Sequence, residues 1–337
     1  MEVLGEEWNC KAENEGMTRE FKIVALDAYG VNPGDLDWSP LRRLGRLDVY
    51  DATEPSSLVS RASDADAILV NRVRIGRNEL ERLPKLKYIG AFATGYNFID
   101  VQAAAARGIT VTNIPSYSTM SVAQMAFALL LEICQHPFCY DSLTRRGKWS
   151  GEPGFDYQPH PLVELDGKQM GIIGLGDIGS AVARMAEAFG MKVAVFTSKA
   201  QEDLPEGYVK MGLAELMATS DVVSVHCPLL PETRGLVSAA MIDRMRPSAV
   251  FINTARGPIV DESALAEALN SGRIAAAGVD VLSKEPPPAD HPLLHARNCF
   301  ITPHVAWASR EARSRALCQA AANLEAFLDG NPVNRVG

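Results

Sequence analysis

Three ionisable residues in the C-terminal half stand just past predicted strands: Arg256 after FINTA, Glu285 after GVDVLSK and His304 after CFITP. In open α/β sheets the ligand crevice lies off the carboxyl ends of the strands, so residues distant in sequence share one topological edge. Together the three types suit a reaction at a carbonyl next to a carboxylate. An arginine can hold the carboxylate bidentately. A histidine can give or take the proton on the carbinol oxygen near neutral pH. A glutamate can orient the imidazole and favour its imidazolium form. Each residue also has a plainer account: a surface ion pair for Arg256, loop solvation for Glu285 before Pro286-Pro287-Pro288, a loop hydrogen bond for His304 after Pro303. Three such types at three strand ends outweigh those separate accounts. Asp280, inside GVDVLSK, either pairs structurally or faces a bound cofactor.

The elements that must position these residues begin at Met170–Lys192, MGIIGLGDIGSAVARMAEAFGMK. An apolar run, Met170 to Ile173, has the length and content of a buried parallel strand. Gly174-Leu175-Gly176-Asp177-Ile178-Gly179 follows, then a helical pattern of Val182, Met185, Ala186 and Phe189 closed by Gly190. In the order strand, glycine turn, helix, strand, G-x-G-x-x-G signals dinucleotide binding. Gly174 permits the tight turn, Gly176 lets the backbone approach a pyrophosphate, and Gly179 lets helix and strand pack closely. The pyrophosphate sits on the N–H groups of the helix N-terminus, where the macrodipole favours negative charge.

The second strand of this unit, Val193-Ala194-Val195-Phe196, ends where an NAD-specific site places an acidic residue for the ribose 2′-hydroxyl. Thr197 occupies that position, Ser198 and Lys199 follow, and the next acid is Glu202. A carboxylate there would repel a 2′-phosphate, whereas two hydroxyls and an ammonium can hold one. Lys199 has a plainer reading as a solvated loop lysine, yet the missing carboxylate still relaxes discrimination. The expectation is NADPH in preference to NADH, with dual use as the fallback.

Taken in order, the chain alternates strands and helices, which implies parallel sheets covered on both faces. Strands are expected at Phe21–Leu26, Leu47–Tyr50, Ala67–Val70, Leu86–Ala91 and Thr110–Thr112, with helices at Pro55–Ala62, Gly76–Leu83 and Val101–Arg107. The NIPS break at Asn113–Ser116 precedes one long apolar helix, Val122–Leu143, expected between domains or at a subunit contact. A charged loop with Trp149, Arg145–Gly154, leads toward the glycine turn. Beyond it, strands are expected at Lys192–Phe196, Val222–Val225, Ala249–Asn253, Ala276–Val279 and Cys299–Ile301. Helices are expected at Gly212–Ala218, Ser238–Met245, Glu262–Ser271 and Ser309–Asp329.

The 337 residues suffice for two domains, each with its own core. A net charge of −8 and the lack of a basic, aromatic-interleaved tract argue against a nucleic-acid partner. The six cysteines lack C-x-x-C spacing, so neither a metal site nor a disulfide framework is expected, and reduced thiols in a cytoplasm are the simplest reading. The longest greasy segment, Met125–Leu131, is too short to span a membrane. The acidic first twenty residues do not read as a signal peptide. Met17 is a candidate alternative start, with a disordered leader before it.

With these motifs in hand, the sequence resembles the D-isomer-specific 2-hydroxyacid dehydrogenases from about Phe21 to Asn334. The match rests on GLGDIG (Gly174–Gly179), HCPLLPET (His226–Thr233), INTARGPIVDE (Ile252–Glu262), GVDVLSKEPP (Gly278–Pro287) and TPHVAWAS (Thr302–Ser309). The resemblance implies an α/β protein of two doubly wound parallel-sheet (Rossmann-like) domains with the active site in the cleft between them. Residues 117–305 would form the dinucleotide-binding domain, and 1–116 with the return segment 306–337 the substrate domain. Arg256, Glu285 and His304 would be catalytic, with the backbone of Ala93-Thr94-Gly95 on the substrate carboxylate. Asp177 and Ile178 would lie at the pyrophosphate, and Thr254, Ala255, Arg256 and Asp280 near the nicotinamide. Cys227, Pro228, Thr233, His304 and Ala306 complete the cofactor set. Cys227 is discounted as a nucleophile, because hydride transfer needs no thiol. SVAQMAFALLLE (Ser121–Glu132) and HVAWAS look most like the glycerate dehydrogenase/hydroxypyruvate reductase branch. The implied activity interconverts a small 2-keto acid and its D-2-hydroxy acid: hydroxypyruvate or glyoxylate, and D-glycerate or glycolate. The implied assembly is a homodimer through the nucleotide domain. A dinucleotide-sensing, corepressor-like protein on the same fold is the alternative.

Overall fold

The computed structural model describes residues 21–151 and 160–337. The expected leader over 1–20 and the end of the expected 145–154 loop lie outside them. Short aliphatic runs form the strands, and five of the twelve in the described residues are buried along their whole length, as parallel strands covered on both faces must be. In chain order they are β1 (Lys22–Ala25), β2 (Arg46–Val49), β3 (Ala67–Val70), β4 (Tyr88–Ala91), β5 (Thr110–Thr112), β6 (Gln169–Ile173), β7 (Lys192–Phe196), β8 (Val209–Lys210), β9 (Val222–Val225), β10 (Val250–Asn253), β11 (Ala276–Val279) and β12 (Cys299–Ile301). The helices are α1 (Ser39–Arg42), α2 (Leu58–Ala62), α3 (Arg77–Glu81), α4 (Val101–Ala106), α5 (Thr119–Gln135), α6 (Pro137–Arg145), α7 (Lys148–Gly151), α8 (Asp177–Ala188), α9 (Leu213–Thr219), α10 (Ala239–Ile242), α11 (Glu262–Asn270) and α12 (Arg310–Leu328).

The chain divides into two units, one of residues 1–118 with 308–337 and one of 119–307. The first unit holds a five-stranded parallel sheet in the order β2-β1-β3-β4-β5. Its final helix, α12, starts at Ser309, whose side chain accepts from the Ala312 N–H at 3.2 Å. Arg313 then grips Asp35 through two hydrogen bonds of 2.6 and 2.7 Å and donates to the Val31 carbonyl. Asn323 donates to the Asn113 carbonyl, and Val336 N–H donates to that of Val111.

The second unit holds a seven-stranded parallel sheet in the order β12-β11-β10-β9-β6-β7-β8. The long apolar helix expected over Val122–Leu143 is two helices, α5 and α6. His136 between them takes a left-handed conformation (φ 50°), and Pro137 starts the second helix, since proline lacks the N–H that would continue the first. Nor is the grease of α5 left for a partner. Ala126, Phe127, Leu130 and Ile133 belong to this unit's own core, where α5 packs on α8, and Phe127 stacks on Phe189 at 5.3 Å. β8 escaped the sequence reading because two residues show no periodicity, and α7 lies where a loop was expected.

Cys134, Cys139, Cys227 and Cys299 are free, whereas Cys318 is disulfide-bonded, a departure from six reduced thiols. Among the described residues no single helix is long and apolar enough to cross a membrane, although α5 and α6, bent by 52°, pass together on length and composition.

Candidate active site

In the seven-stranded sheet the strand order reverses between β9 and β6, since β6 leads outward to β7 on one side and β9 starts the run on the other. A ligand crevice is expected at that point, off the carboxyl ends. Gly174 leaves β6 there with φ +94°, and a Cβ on it would lie 2.6 Å from the Cys227 nitrogen. A Cβ on Gly179 would sit 2.0 Å from the Gly174 carbonyl oxygen, so the first turn of α8 presses directly on the loop. Gly176 is the opposite case: nothing lies within 4 Å of where its Cβ would be, and as N-cap of α8 it brings no side chain to the helix end. Asp177 beside it is exposed and Ile178 half-buried.

The β9–β10 register pairs Ser224 with Ile252 and Val225 with Asn253, which sets His226 beside Thr254 just past the two strand ends. His226 Nε2 pairs with Ser224 Oγ at 2.7 Å, while His226 Nδ1 and Thr254 Oγ1 are buried without a hydrogen-bond partner. Burial pushes the His226 imidazole down to about 3, so it stays neutral at physiological pH. Open space at Gly176, a bare helix N-terminus and two orphaned polar atoms on one sheet edge fit a dinucleotide laid across this edge. Burial pushes the Cys227 thiol up to about 11, which removes it as a nucleophile at neutral pH.

At the far strands the polar residues converge. His304 follows β12 in a left-handed conformation (φ 55°), with its N–H donating to the Asp280 carbonyl at 2.8 Å. Its Nδ1 meets Glu285 Oε2 at 2.6 Å, and the two side chains are 28% and 30% exposed. Glu285 Oε1 accepts from the Leu282 N–H at 3.0 Å, and Trp307 Nε1 donates to the His304 carbonyl at 2.9 Å. Arg256 is half-buried past β10, with Nη1 donating to the Ala255 carbonyl at 2.7 Å. A Cβ on the next residue, Gly257, would lie 2.1 Å from Leu282 C and Ser283 N. That close approach ties the Arg256 turn to the loop that carries Glu285.

Asp280 makes the contacts that the structural account calls for. It is 1% exposed, Oδ1 accepts from Thr302 Oγ1 at 2.5 Å and Val305 N–H at 3.0 Å, and Oδ2 accepts from Ala306 N–H at 2.9 Å. Burial raises its carboxyl above the usual range against those donors. Its carboxylate therefore shapes the loop on which His304 stands. Ala306 spends its N–H there and its carbonyl on Ser121 Oγ at 2.6 Å. The Thr233 hydroxyl closes its own loop, donating to the Pro228 carbonyl at 2.6 Å and accepting from Leu230 N–H at 2.7 Å. Ala93-Thr94-Gly95 follow β4 in the first unit, where Thr94 Oγ1 donates to the Ile114 carbonyl at 2.7 Å.

Past β7, Thr197 Oγ1 accepts from the Lys199 N–H at 3.3 Å. Lys210 of β8, opposite Val195, donates from Nζ to the Lys199 carbonyl at 2.6 Å. A second ammonium thus stands at the 197–199 turn. Sequence reasoning missed it because Lys210 lies eleven residues past Lys199 on a strand without periodicity.

Residues 127–306 match the family described as D-isomer specific 2-hydroxyacid dehydrogenase, NAD binding domain. The chain is 47% identical to a hydroxypyruvate reductase of Blautia hydrogenotrophica over 319 residues, covering 94% of this chain and 99% of that protein. It is 39% identical to a glycerate dehydrogenase of Methylorubrum extorquens over 290 residues, 85% of this chain and 90% of that one. Among solved structures it is similar to an NADPH-dependent glyoxylate/hydroxypyruvate reductase of Sinorhizobium meliloti in complex with citrate. That likeness has a TM-score of 0.80 and 32% identity, covering 94% of this chain and 98% of the other.

Proposed function

The chain belongs to the D-isomer-specific 2-hydroxyacid dehydrogenases, and on that premise we propose that it reduces hydroxypyruvate and glyoxylate to D-glycerate and glycolate, with NADPH preferred over NADH. It is an NAD(P)-dependent oxidoreductase acting between a 2-keto acid and its D-2-hydroxy acid. The observation that carries the site assignment is the 2.6 Å contact between His304 Nδ1 and Glu285 Oε2. Glu285 orients the ring through Nδ1, and Nε2 is the nitrogen we assign to the substrate oxygen. Arg256 holds the substrate carboxylate with its planar fork. The resemblance alone assigns the backbone of Ala93-Thr94-Gly95 to the same carboxylate. A nicotinamide held at this edge would supply the hydride for C2, and His304 is the group we assign to supply the proton for the oxygen. In oxidation, neutral His304 takes that proton back.

The cofactor preference rests on the 197–199 turn, where hydroxyls and the ammonium groups of Lys199 and Lys210 stand in place of a carboxylate. Homodimerisation is assigned to the second unit, where Phe138 on α6 is 77% exposed and Trp149 on α7 is exposed; sedimentation velocity tests it. A dinucleotide-sensing binding protein is the weaker reading, since the relatives above are named as reductases and dehydrogenases. The test is turnover of a 2-keto-acid panel with both reduced cofactors. Thr197→Asp is expected to shift the kcat/KM ratio toward NADH by about tenfold or more, because the new carboxylate repels a 2′-phosphate. A wild-type enzyme that strongly prefers NADH overturns the cofactor reading, and one that binds dinucleotide but turns over no keto acid overturns the enzyme reading.

A further inference from the structure

The loop that carries Glu285 is clamped at both ends by one carboxylate outside the cluster described so far. Glu262, the first residue of α11, accepts from the Ser283 N–H at 2.7 Å with Oε1. Its Oε2 takes the Ser283 hydroxyl and meets His291 Nε2 at 3.1 Å. The His291 and Glu262 side chains are only 6% and 10% exposed. His291 Nδ1 accepts from the Leu293 N–H at 3.4 Å, which leaves the ring proton on Nε2, where it donates to Glu262. Ser283 opens the segment and His291 closes it, with Glu285 and the three prolines 286–288 between them. A loop tied at both ends to one buried group has few ways to move the residue it carries.

We propose that Glu262, with His291 and Ser283 as its partners, is a positioning residue that holds the Glu285 loop so that Glu285 meets His304. The path is continuous: Glu262 fixes Ser283, the Leu282–Ser283 backbone lies against Gly257, Leu282 N–H holds Glu285 Oε1, and Glu285 Oε2 meets His304. Glu262 sits at the N-terminus of a nine-residue helix capped by Asp261, which fixes its backbone. Glu262 touches neither His304 nor Arg256 through any of these bonds, so its effect on catalysis passes through Glu285. The inference rests on the proposed role of Glu285 as the partner of His304.

A double-mutant cycle on the full-length protein separates the two. Glu262→Ala is expected to lower kcat for hydroxypyruvate about ten- to a hundredfold, the scale of a misplaced catalytic group, with KM and dinucleotide affinity within about threefold. In a Glu285→Gln background the same substitution is expected to change kcat less than about twofold, because the group it positions is already gone. Additive losses in the double variant, or a Glu262→Ala enzyme with wild-type kcat, overturn the positioning role. A Glu285→Gln enzyme with wild-type turnover overturns the proposed catalytic role instead. Should Glu262→Ala fail to fold, Ser283→Ala and His291→Gln, run through the same cycle, carry the same expectation at smaller amplitude, and additivity there overturns the proposal equally.

Discussion

Two histidine–carboxylate pairs share the loop past β11, which contributes Glu285 to one and His291 to the other, and their surroundings separate them. His304 and Glu285 meet at 2.6 Å with nearly a third of each side chain exposed. His291 and Glu262 meet at 3.1 Å and are almost entirely buried. The exposed pair can pass a proton to a group outside the protein. The buried pair spends both carboxylate oxygens on donors from one loop, so its value lies in where it holds the chain. A third histidine, His226, shows what happens without a carboxylate: burial alone keeps it neutral. Environment, rather than residue type, sorts imidazole–carboxylate pairs into reactive and structural ones.

Exchanging the two histidines for alanine is the sharpest way to break this contrast. His304→Ala is expected to cost about 10²–10⁴-fold in kcat, the usual worth of a general acid–base. Dinucleotide affinity and the urea midpoint should stay near wild type. Near-native turnover would end the assignment of His304 to proton transfer. His291→Ala should show the reverse balance. It leaves a buried carboxylate short of a partner, so unfolding free energy should drop by about 1–3 kcal/mol, read from urea melts, with a kcat loss far below that of His304→Ala. Equal stabilities for the two variants would erase the distinction between an exposed and a buried pair.

The third histidine sharpens the comparison through pH. Its folded value of about 3 lies below the ordinary 6.5, so between those values the unfolded chain binds the proton that the folded chain refuses. Stability is therefore fully present above about pH 6.5 and falls as pH drops toward 3, by about 1.4 kcal/mol per pH unit from this group alone. His226→Gln keeps a polar partner for Ser224 and removes the titration, so its urea midpoint should fall less steeply between pH 7 and 5. Parallel slopes for wild type and variant would show that His226 is not held neutral.

The readable features were those with local signals. Short apolar runs between helical patterns marked β6, β7, β9, β10 and β11 to within a residue, and the spacing of Gly174, Gly176 and Gly179 marked the turn between β6 and α8. The break between α5 and α6 was also written locally, in Pro137, but the apolar run on either side hid it. Asp280 could not be decided from sequence, because its three donors lie 22 to 26 residues away. Glu262 was read as part of the INTARGPIVDE motif without a role, since its partners Ser283 and His291 come 21 and 29 residues later. Lys210 had no signal at all.

The order of residue types along the chain determined which chemistry was available: a glycine turn for a dinucleotide, and an arginine, a glutamate and a histidine placed after strands that must run parallel. The pairing of Glu285 with His304 was expected from those residue types, whereas tertiary structure alone decided the partners of Glu262 and Asp280. Glu285 takes His304, Glu262 takes His291, and Asp280 takes the backbone beneath His304. Backbone propensity and hydrophobic period act over a few residues and can be read along a chain. Hydrogen-bond pairing and burial are set by packing across the sheet edge, where neighbours in space are strangers in sequence.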